Sequence, residues 1–391
     1  MLVNKTMVQH VAAMVTSNIT KRSPMAGFPR SRTLFFAQAV AHPKVAIVQV
    51  DHVNNTRITV LRLIFQPQTL IENKKKMKNG IITIIIILSL ISCERGSNTY
   101  QLSTSFPDSH NTKPQTSFEL ASKDEVSSIS LINNLFCVEK LNERPIYDFY
   151  DYKGKLQGSF GIIGHGSGEF LLPHLFEGEK DSLMVIDDGL HKLFSVYNYK
   201  IYNPNNFYVN CAVNDVKTIR WPYIGFYHFG RGKIVWDIYN LSEKEVEESI
   251  EFQGEEPYLE TFKWSSSNNY LVFAYQYYKK IKICKLTSDM KIQEEKVYQT
   301  KTAKPHGSKS YFTDIVCGKD YFLTLSQEDI VIEENSLKGT TKLQKYDYHG
   351  LPLKELILDG IYLRMALDEK ENKLYLVPID DSVIKYIQLN Q

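Results

Sequence analysis

The chain has 391 residues, of which 43% are apolar and 12% aromatic, and its formal net charge at pH 7 is +2. The positive charge is concentrated at the start, since residues 1–78 carry 12 lysines and arginines against only Asp51 and Glu72. Residues 94–391 therefore hold 34 basic and 42 acidic side chains, a net charge of −8. Because nucleic-acid binding needs a basic surface, we expect no nucleic-acid partner.

Residues 1–76 differ in composition from the rest of the chain. All 24 Tyr, all 3 Trp and all 5 Cys lie at Met77 or later. A basic prefix of this kind can bind nucleic acid or serve as a transit peptide. We favour a third interpretation, in which Met77 is the natural start and residues 1–76 are a mis-assigned upstream extension that is disordered.

Residues 77–93, MKNGIITIIIILSLISC, have the features of a secretory signal. A basic start at Lys78 precedes an uncharged run of 13 residues, 80–92, shorter than the roughly 20 that a membrane-spanning helix needs. The last four residues, 90–93, resemble the bacterial lipobox, in which the cysteine is lipidated and becomes the first residue of the mature chain. This predicts lipidation at Cys93 and a cell-envelope location; a buried strand and a single-pass anchor are the alternatives.

The residue after the lipobox is Glu94 rather than the Asp that retains many lipoproteins at the inner membrane, so we expect the outer membrane. Residues 94–117 are rich in Ser, Thr, Asn and Pro and contain little to bury. They are typical of a flexible tether between the lipid and a folded domain at 118–391.

A strand-like segment with an apolar or aromatic centre recurs six times beyond the tether, at starting positions 41 to 53 residues apart. These segments are 133–139, 181–187, 222–228, 269–275, 319–325 and 372–378. Each is followed by a partner that completes a hairpin, at 145–154, 192–200, 233–241, 280–289, 342–350 and 383–391. The clearest internal match is YDYKG at 150–154 against YDYHG at 346–350.

Strands also precede and follow these hairpins. The preceding strands are predicted at 126–132, 173–178, 216–221, 259–264, 312–317 and 362–367, and the following ones at 156–162, 206–211, 246–252, 294–300 and 354–359. The sixth unit lacks a following strand, which residues 117–123 can supply. The pattern predicts an all-β, six-bladed β-propeller with four antiparallel strands per blade, its ring closed by an N-terminal strand on the C-terminal blade. A β-sandwich is the alternative, but it does not explain the repeat.

A glycine-rich stretch, GSFGIIGHGSGEFLLP at 158–173, does not fit a phosphate-binding loop, because it lacks the G-x-G-x-x-G spacing and no helix follows. We expect a tight turn between blades. With residues 185–197 the stretch resembles the NHL-type propeller repeat, and together with the lipobox the chain is similar to TolB-like six-bladed propeller lipoproteins of Gram-negative bacteria. The resemblance covers about one blade, 158–197, and implies a fold and an envelope location.

In a propeller, ligands usually bind over the channel, on the face formed by the loops between second and third strands and between blades. The candidates that the sequence places there are His165, His174, Asp187, Asp188, His191, Arg231, His306, Asp380 and Asp381. The histidines could bind a divalent metal, as in some NHL-type lyases, or be surface and turn residues. The aspartate pairs could bind Ca²⁺ or do acid–base chemistry, but we favour turn caps. We predict no cofactor, and Cys137, Cys211, Cys284 and Cys317 as buried free thiols.

These patterns favour a propeller that acts as a binding or scaffolding module for a partner protein, a glycan or another small molecule, attached to the membrane by its lipid. The alternative is a metal-dependent lyase or hydrolase with its site at the mouth of the channel. It requires three of His165, His174, His191, His228 and His306 to converge on one point. A purely structural envelope component is a third possibility, favoured by a flat, apolar ligand face.

Overall fold

A computed structural model describes most of the chain in two separate units, residues 1–93 and 94–391. The described residues are 47–52, 59–64, 98–121, 126–140, 144–166, 168–207, 209, 211–230, 232–252, 260–267, 269–300, 310–327, 331–333, 336–379 and 383–389. Among them, no helix has the length and apolar character needed to cross a membrane.

In the first unit, β1 (Ile47–His52) and β2 (Thr59–Ile64) form an antiparallel hairpin. These two strands depart from the expectation of disorder over residues 1–76. The signal segment 77–93, with Cys93, lies outside the described residues.

The second unit begins with three short strands, β3 (Asn98–Gln101), β4 (Ser109–Thr112) and β5 (Gln115–Glu119). Blade 1 contains β6 (Val126–Ile132), β7 (Leu135–Lys140), β8 (Tyr147–Tyr150) and β9 (Leu156–Phe160). Blade 2 contains β10 (Pro173–Glu177), a 3-10 turn (Glu179–Asp181), β11 (Leu183–Asp187), β12 (Lys192–Tyr197) and β13 (Lys200–Asn206). Blade 3 contains β14 (Asn214–Arg220), β15 (Tyr223–Gly230), β16 (Lys233–Asn240) and β17 (Glu245–Phe252).

The remaining blades follow the same order from the inner to the outer strand. Blade 4 contains β18 (Phe262–Ser267), β19 (Tyr270–Tyr275), β20 (Lys280–Leu286) and β21 (Ile292–Gln299). Blade 5 contains β22 (Phe312–Cys317), β23 (Tyr321–Ser326), β26 (Thr341–Asp347) and β27 (Pro352–Leu358), with the hairpin β24 (Val331–Glu333) and β25 (Ser336–Lys338) inserted. Blade 6 contains β28 (Tyr362–Asp368), β29 (Lys373–Pro378) and β30 (Val383–Gln388), completed by β5. The six-bladed, all-β propeller is confirmed.

The core consists of apolar layers between neighbouring blades, because side chains alternate across each strand. On β19, Leu271 and Phe273 point into the layer shared with blade 3, whereas Val272 and Ala274 point into the layer shared with blade 5. A buried cluster of this kind lies between every pair of neighbouring blades, including blades 6 and 1. The blades thus cover each other's two apolar faces, as the repeat pattern predicts.

The ring closes as expected, but with a strand two residues closer to the N-terminus than predicted. Strand β5 pairs antiparallel with β30, and Phe118 lies opposite Ile384. Both side chains are buried in the cluster between blades 6 and 1. The chain ends of the second unit are therefore joined by backbone hydrogen bonds and by a shared apolar layer.

The segment predicted as a flexible tether, 94–117, contains regular structure. Strand β3 adds to blade 4 in parallel to β21, and β4 adds to blade 5 in parallel to β27. Leu102, between them, is 2% exposed. We correct the tether prediction for residues 98–117, which form a strap along the outer edges of blades 4, 5 and 6.

One predicted strand is wrong. The fourth strand of blade 2 was expected at 206–211, whereas it is Lys200–Asn206 and follows a tight turn at Asn198 and Tyr199, both with positive φ. It lies at the edge of its sheet, where its side chains are mostly exposed. An edge strand does not need the apolar alternation on which the prediction relied.

Candidate functional site

The strand order gives the ring two faces. Loops from second to third strands and from one blade to the next lie on one face, called here the upper face. Turns from first to second and from third to fourth strands lie on the other, the underside. The sequence placed its candidates on the upper face, and the described candidates do lie in upper-face loops or at the adjoining strand ends.

Asp187 organises the upper face at blade 2. Its carboxylate is fully buried and accepts hydrogen bonds from the backbone N–H groups of Leu171 (2.8 Å), Leu172 (3.1 Å) and Leu190 (3.2 Å). One side chain therefore holds the inter-blade loop against the hairpin loop of blade 2. The turn-capping interpretation of this aspartate agrees with the structure.

The loops held by Asp187 carry apolar side chains into solvent. Leu172 is 54% exposed and Leu190 41%, and Ile162, whose carbonyl accepts a 2.8 Å hydrogen bond from Phe170 N–H, is 47% exposed. We call Ile162, Leu172 and Leu190 the upper apolar patch. On the same face in blade 3, Phe229 is 59% exposed. Exposed apolar side chains fixed on a rigid backbone are a common feature of protein-binding surfaces.

The inner strands place charged side chains around the central channel. Asp314 of blade 5 interacts electrostatically with Lys217 of blade 3, Lys263 of blade 4 and Arg364 of blade 6. Side chains from four different blades can approach each other only near the axis of the ring. We call Lys217, Lys263, Asp314 and Arg364 the channel layer. Burial nevertheless raises the pKa of Asp314, and its carboxylate accepts a 2.8 Å hydrogen bond from Met365 N–H of the next blade.

His174 lies on the inner strand of blade 2, at the same strand position as Asp215 in blade 3 and Lys263 in blade 4. Burial lowers its pKa, while the negative charges of Glu139, Asp188 and Asp215 act in the other direction. The imidazole is therefore neutral at pH 7. Asp188 is 5% exposed, and burial raises its pKa, with Oδ2 accepting a 3.2 Å bond from Val213 N–H.

The other described candidates lie apart from this layer. His165 is exposed in the glycine-rich inter-blade turn, and His191 is exposed with a φ of 51° at the hairpin of blade 2. Arg231, His306, Asp380 and Asp381 lie outside the described residues. Of the charged and imidazole side chains on the inner strands, only His174 was a candidate from the sequence. The residues missed were Asp215, Lys217, Lys263, Asp314 and Arg364, and the available signal was a charged residue at the second to fourth position of an inner strand.

The glycine-rich turn is filled by the chain's own carboxylate. Glu169 Oε2 accepts a 2.7 Å hydrogen bond from Gly166 N–H, and Glu169 N–H donates back to Gly166 O at 3.1 Å. The stretch forms a turn between blades 1 and 2, as expected. The backbone N–H group of Gly166 therefore already has an anionic partner in Glu169.

A metal site would require several of the histidines to converge on one point. His228, which the alternative included, instead lies 3.1 Å through Nε2 from Asp237 Oδ2. Within the described part of the chain, no three His, Cys, Asp or Glu side chains come close enough together to hold a metal ion.

The four described cysteines are free thiols. Cys137 and Cys284 are buried, whereas Cys211 and Cys317 are half-buried. Burial raises the pKa of Cys211 to about 11 and that of Cys317 to about 12. These thiols are therefore protonated and unreactive at neutral pH.

No protein-family model and no curated protein sequence matches the chain. Its fold is similar to solved propeller structures. A Bacteroides fragilis protein described as exported is 9% identical, with a TM-score of 0.47 over 74% of this chain and 98% of that one. The propeller domain of Cps50 (Swd1) from Myceliophteria thermophila is 9% identical, with a TM-score of 0.46 over 69% and 99%.

A gluconolactonase from Xanthomonas campestris is 10% identical, with a TM-score of 0.44 over 69% of this chain and 87% of that one. At this level of identity the similarity concerns the fold alone. The six blades and the closing strand are established by the strand pairing described above.

Proposed function

We propose that this protein is a lipid-anchored component of the bacterial cell envelope, at the outer membrane, whose propeller binds a partner protein through the upper apolar patch. The observation that carries the proposal is the Asp187 carboxylate, which fixes the loops bearing Leu172 and Leu190 while leaving both side chains in solvent. Preformed apolar anchors lose little conformational entropy on binding. Propeller folds commonly serve as protein-interaction scaffolds.

The anchor rests on residues 77–93, which end in the lipobox-like 90–93. Mass spectrometry of the processed N-terminus tests it, and the proposal expects a diacylglyceryl group on Cys93. A Cys93→Ala variant should then leave the membrane fraction. An unmodified N-terminus upstream of Cys93 would contradict the anchor.

The binding surface is tested by photo-crosslinking in the native host, with p-benzoylphenylalanine in place of Leu172. We expect one dominant protein adduct. A second change, Leu190→Glu, should reduce it about tenfold by placing a charge in the contact, whereas Leu156→Glu, equally exposed on the underside of blade 1, should not. An adduct that survives Leu190→Glu, or the absence of any protein adduct, would refute this surface.

A further inference from the structure

The short length of chain between Cys93 and the strap limits how far a lipid on Cys93 could lie from the ring. Cys93 precedes Asn98, the first residue of β3, by five residues, which span at most about 18 Å even when fully extended. Strand β3 pairs with the outer strand of blade 4, where Asn98 lies opposite Lys296. A lipid on Cys93 therefore holds blade 4 at the bilayer surface instead of letting the ring diffuse on a long tether.

The direction of β3 selects the face. It runs parallel to β21, which starts at the underside with Ile292 and ends at the upper face with Gln299. Strand β3 therefore begins, at Asn98, with its N-terminal end directed towards the underside. Four residues separate Lys296 from Ile292 at the underside end of β21, a distance of about 13 Å at the rise of a strand. Most of the chain length between Cys93 and Asn98 would therefore be needed to reach the underside.

The underside has suitable chemistry next to this entry point. Tyr100 is 40% exposed and stacks on Tyr298 at 5.3 Å between ring centroids. Tyr298 in turn packs against Gly350, in the turn of blade 5 that carries Leu351. Leu351 is 59% exposed and Leu353 40%. These contacts place the turn of blade 5 beside the strap, and Leu351 and Leu353 form an exposed apolar border there on the underside.

Basic side chains lie beside that border. Lys285 and Lys296 line a cleft between blades 4 and 5, together with Glu294, Tyr348 and His349. Lys296 also forms a 3.0 Å ion pair with Glu294. Lysines beside exposed leucines suit the boundary between acyl chains and anionic headgroups. We call Lys285, Lys296, Leu351 and Leu353 the lower rim.

We infer that the lower rim rests on an anionic lipid surface, so that the underside faces the membrane and the upper apolar patch faces away from it. The inference rests on the proposed acylation of Cys93. It gives the exposed leucines of the two faces different roles: those of the lower rim contact lipid, and those of the upper apolar patch remain open to a partner protein.

The test compares two leucines of similar exposure on opposite faces, Leu351 at 59% and Leu172 at 54%. Each is replaced in turn by p-benzoylphenylalanine in the acylated protein, reconstituted in vesicles of phosphatidylethanolamine and phosphatidylglycerol. We expect about tenfold more lipid adduct at 351 than at 172, since only a side chain at the interface meets acyl chains. Leu353→Glu should lower the adduct at 351, and Leu190→Glu should not.

Equal adducts at the two positions, or more at 172, would overturn the inferred orientation. If Cys93 is not acylated in cells, the same comparison is made on residues 93–391, which contain the closed ring and all its core clusters. That chain, with Cys211 and Cys317 replaced by alanine, is coupled through Cys93 to a maleimide phosphatidylethanolamine. A preference for 351 there would support the orientation while refuting the native anchor; no preference would refute the orientation as well.

Discussion

Phe118, on the strand that closes the ring, packs directly onto Gly154 in the last turn of blade 1. The same relationship recurs between blades 4 and 5, where Tyr298 packs onto Gly350. In both cases an aromatic residue of an outer strand covers a glycine of the next blade. The closing strand, which is distant in sequence from blade 6, therefore occupies the structural position of an ordinary fourth strand.

Both turns require glycine for two reasons. Gly154 and Gly350 have φ values of 77° and 73°, and a β-carbon on either would overlap the aromatic ring of the neighbouring blade. We predict that Gly154→Ala lowers the free energy of unfolding by about 2–4 kcal/mol, from the backbone conformation and from overpacking together. Urea denaturation measures the change.

Gly232 provides the matched control, because its φ is 81° and no atom lies within 4 Å of an added β-carbon. Gly232→Ala should lower the free energy of unfolding by about 1–2 kcal/mol, the backbone contribution alone. Equal effects of the two substitutions would show that the aromatic contact is absent.

The Asp187 carboxylate should matter for both stability and binding. Asp187→Ala leaves three backbone N–H groups without their acceptor, and we expect a loss of about 2–4 kcal/mol in unfolding free energy. Since the same bonds hold Leu172 and Leu190, the protein adduct at 172 should fall too. Asp151 caps an underside turn by accepting bonds from Lys153 and Lys155 N–H, so Asp151→Ala should lower stability without affecting that adduct.

Blades 1 and 3 each contain a buried aspartate with a serine and a cationic or imidazole partner. Asp148 accepts from Ser159 Oγ at 2.6 Å and pairs with Lys140 Nζ at 3.0 Å, with both charged side chains almost fully buried. Asp237 has the same arrangement with a serine and His228. The two aspartates lie in matching segments, YDFY and WDIY.

Removing one partner of the buried ion pair should be more harmful than removing both charges. We expect Lys140→Met to lower the free energy of unfolding by about 3–5 kcal/mol, because Asp148 is left charged without its cation. The double variant Lys140→Met, Asp148→Asn should recover part of this loss. If the loss of unfolding free energy in the double variant equals the sum of the losses in Lys140→Met and Asp148→Asn, the two side chains do not interact.

His174 should make stability depend on pH. Its folded-state pKa is lowered from 6.5 by burial, so the unfolded chain binds the proton more readily than the folded one. The imidazole's contribution is therefore complete above about pH 6.5 and is lost as the pH falls towards the lower folded-state value. The difference in denaturation midpoint between wild type and His174→Asn should shrink over this range; a constant difference would contradict the burial of His174.

The repeat pattern predicted the blades because inter-blade packing requires alternating apolar residues on every central strand. It failed where packing imposes no such requirement. Strand β13 lies at a sheet edge and contains Pro204, which an edge strand tolerates. The strap pairs mainly through its backbone, and it offers few apolar side chains, such as Leu102 and the partly buried Phe106, in an otherwise polar sequence.

The channel layer was missed for a related reason. Lys263 and Arg364 occupy positions on inner strands that alternate with core residues, as solvent-facing residues do on any half-buried strand. Only the closed ring distinguishes a channel from open solvent. Asp187 was a candidate from the sequence, but the sequence could not show that its carboxylate accepts hydrogen bonds from two loops at once.

The assignment of loops to the upper face and the underside depends on the closure of the ring. Cross-linking β5 to β30 tests this closure. Thr116 lies opposite Lys385 in the β5–β30 pair, so Thr116→Cys with Lys385→Cys should form a disulfide under mild oxidation, whereas Thr116→Cys with Lys200→Cys, in blade 2, should not. Peptide mass spectrometry identifies the linkage. A 116–385 disulfide that also raises the denaturation midpoint is the predicted result; its absence, or equal cross-linking in the control pair, would contradict the ring.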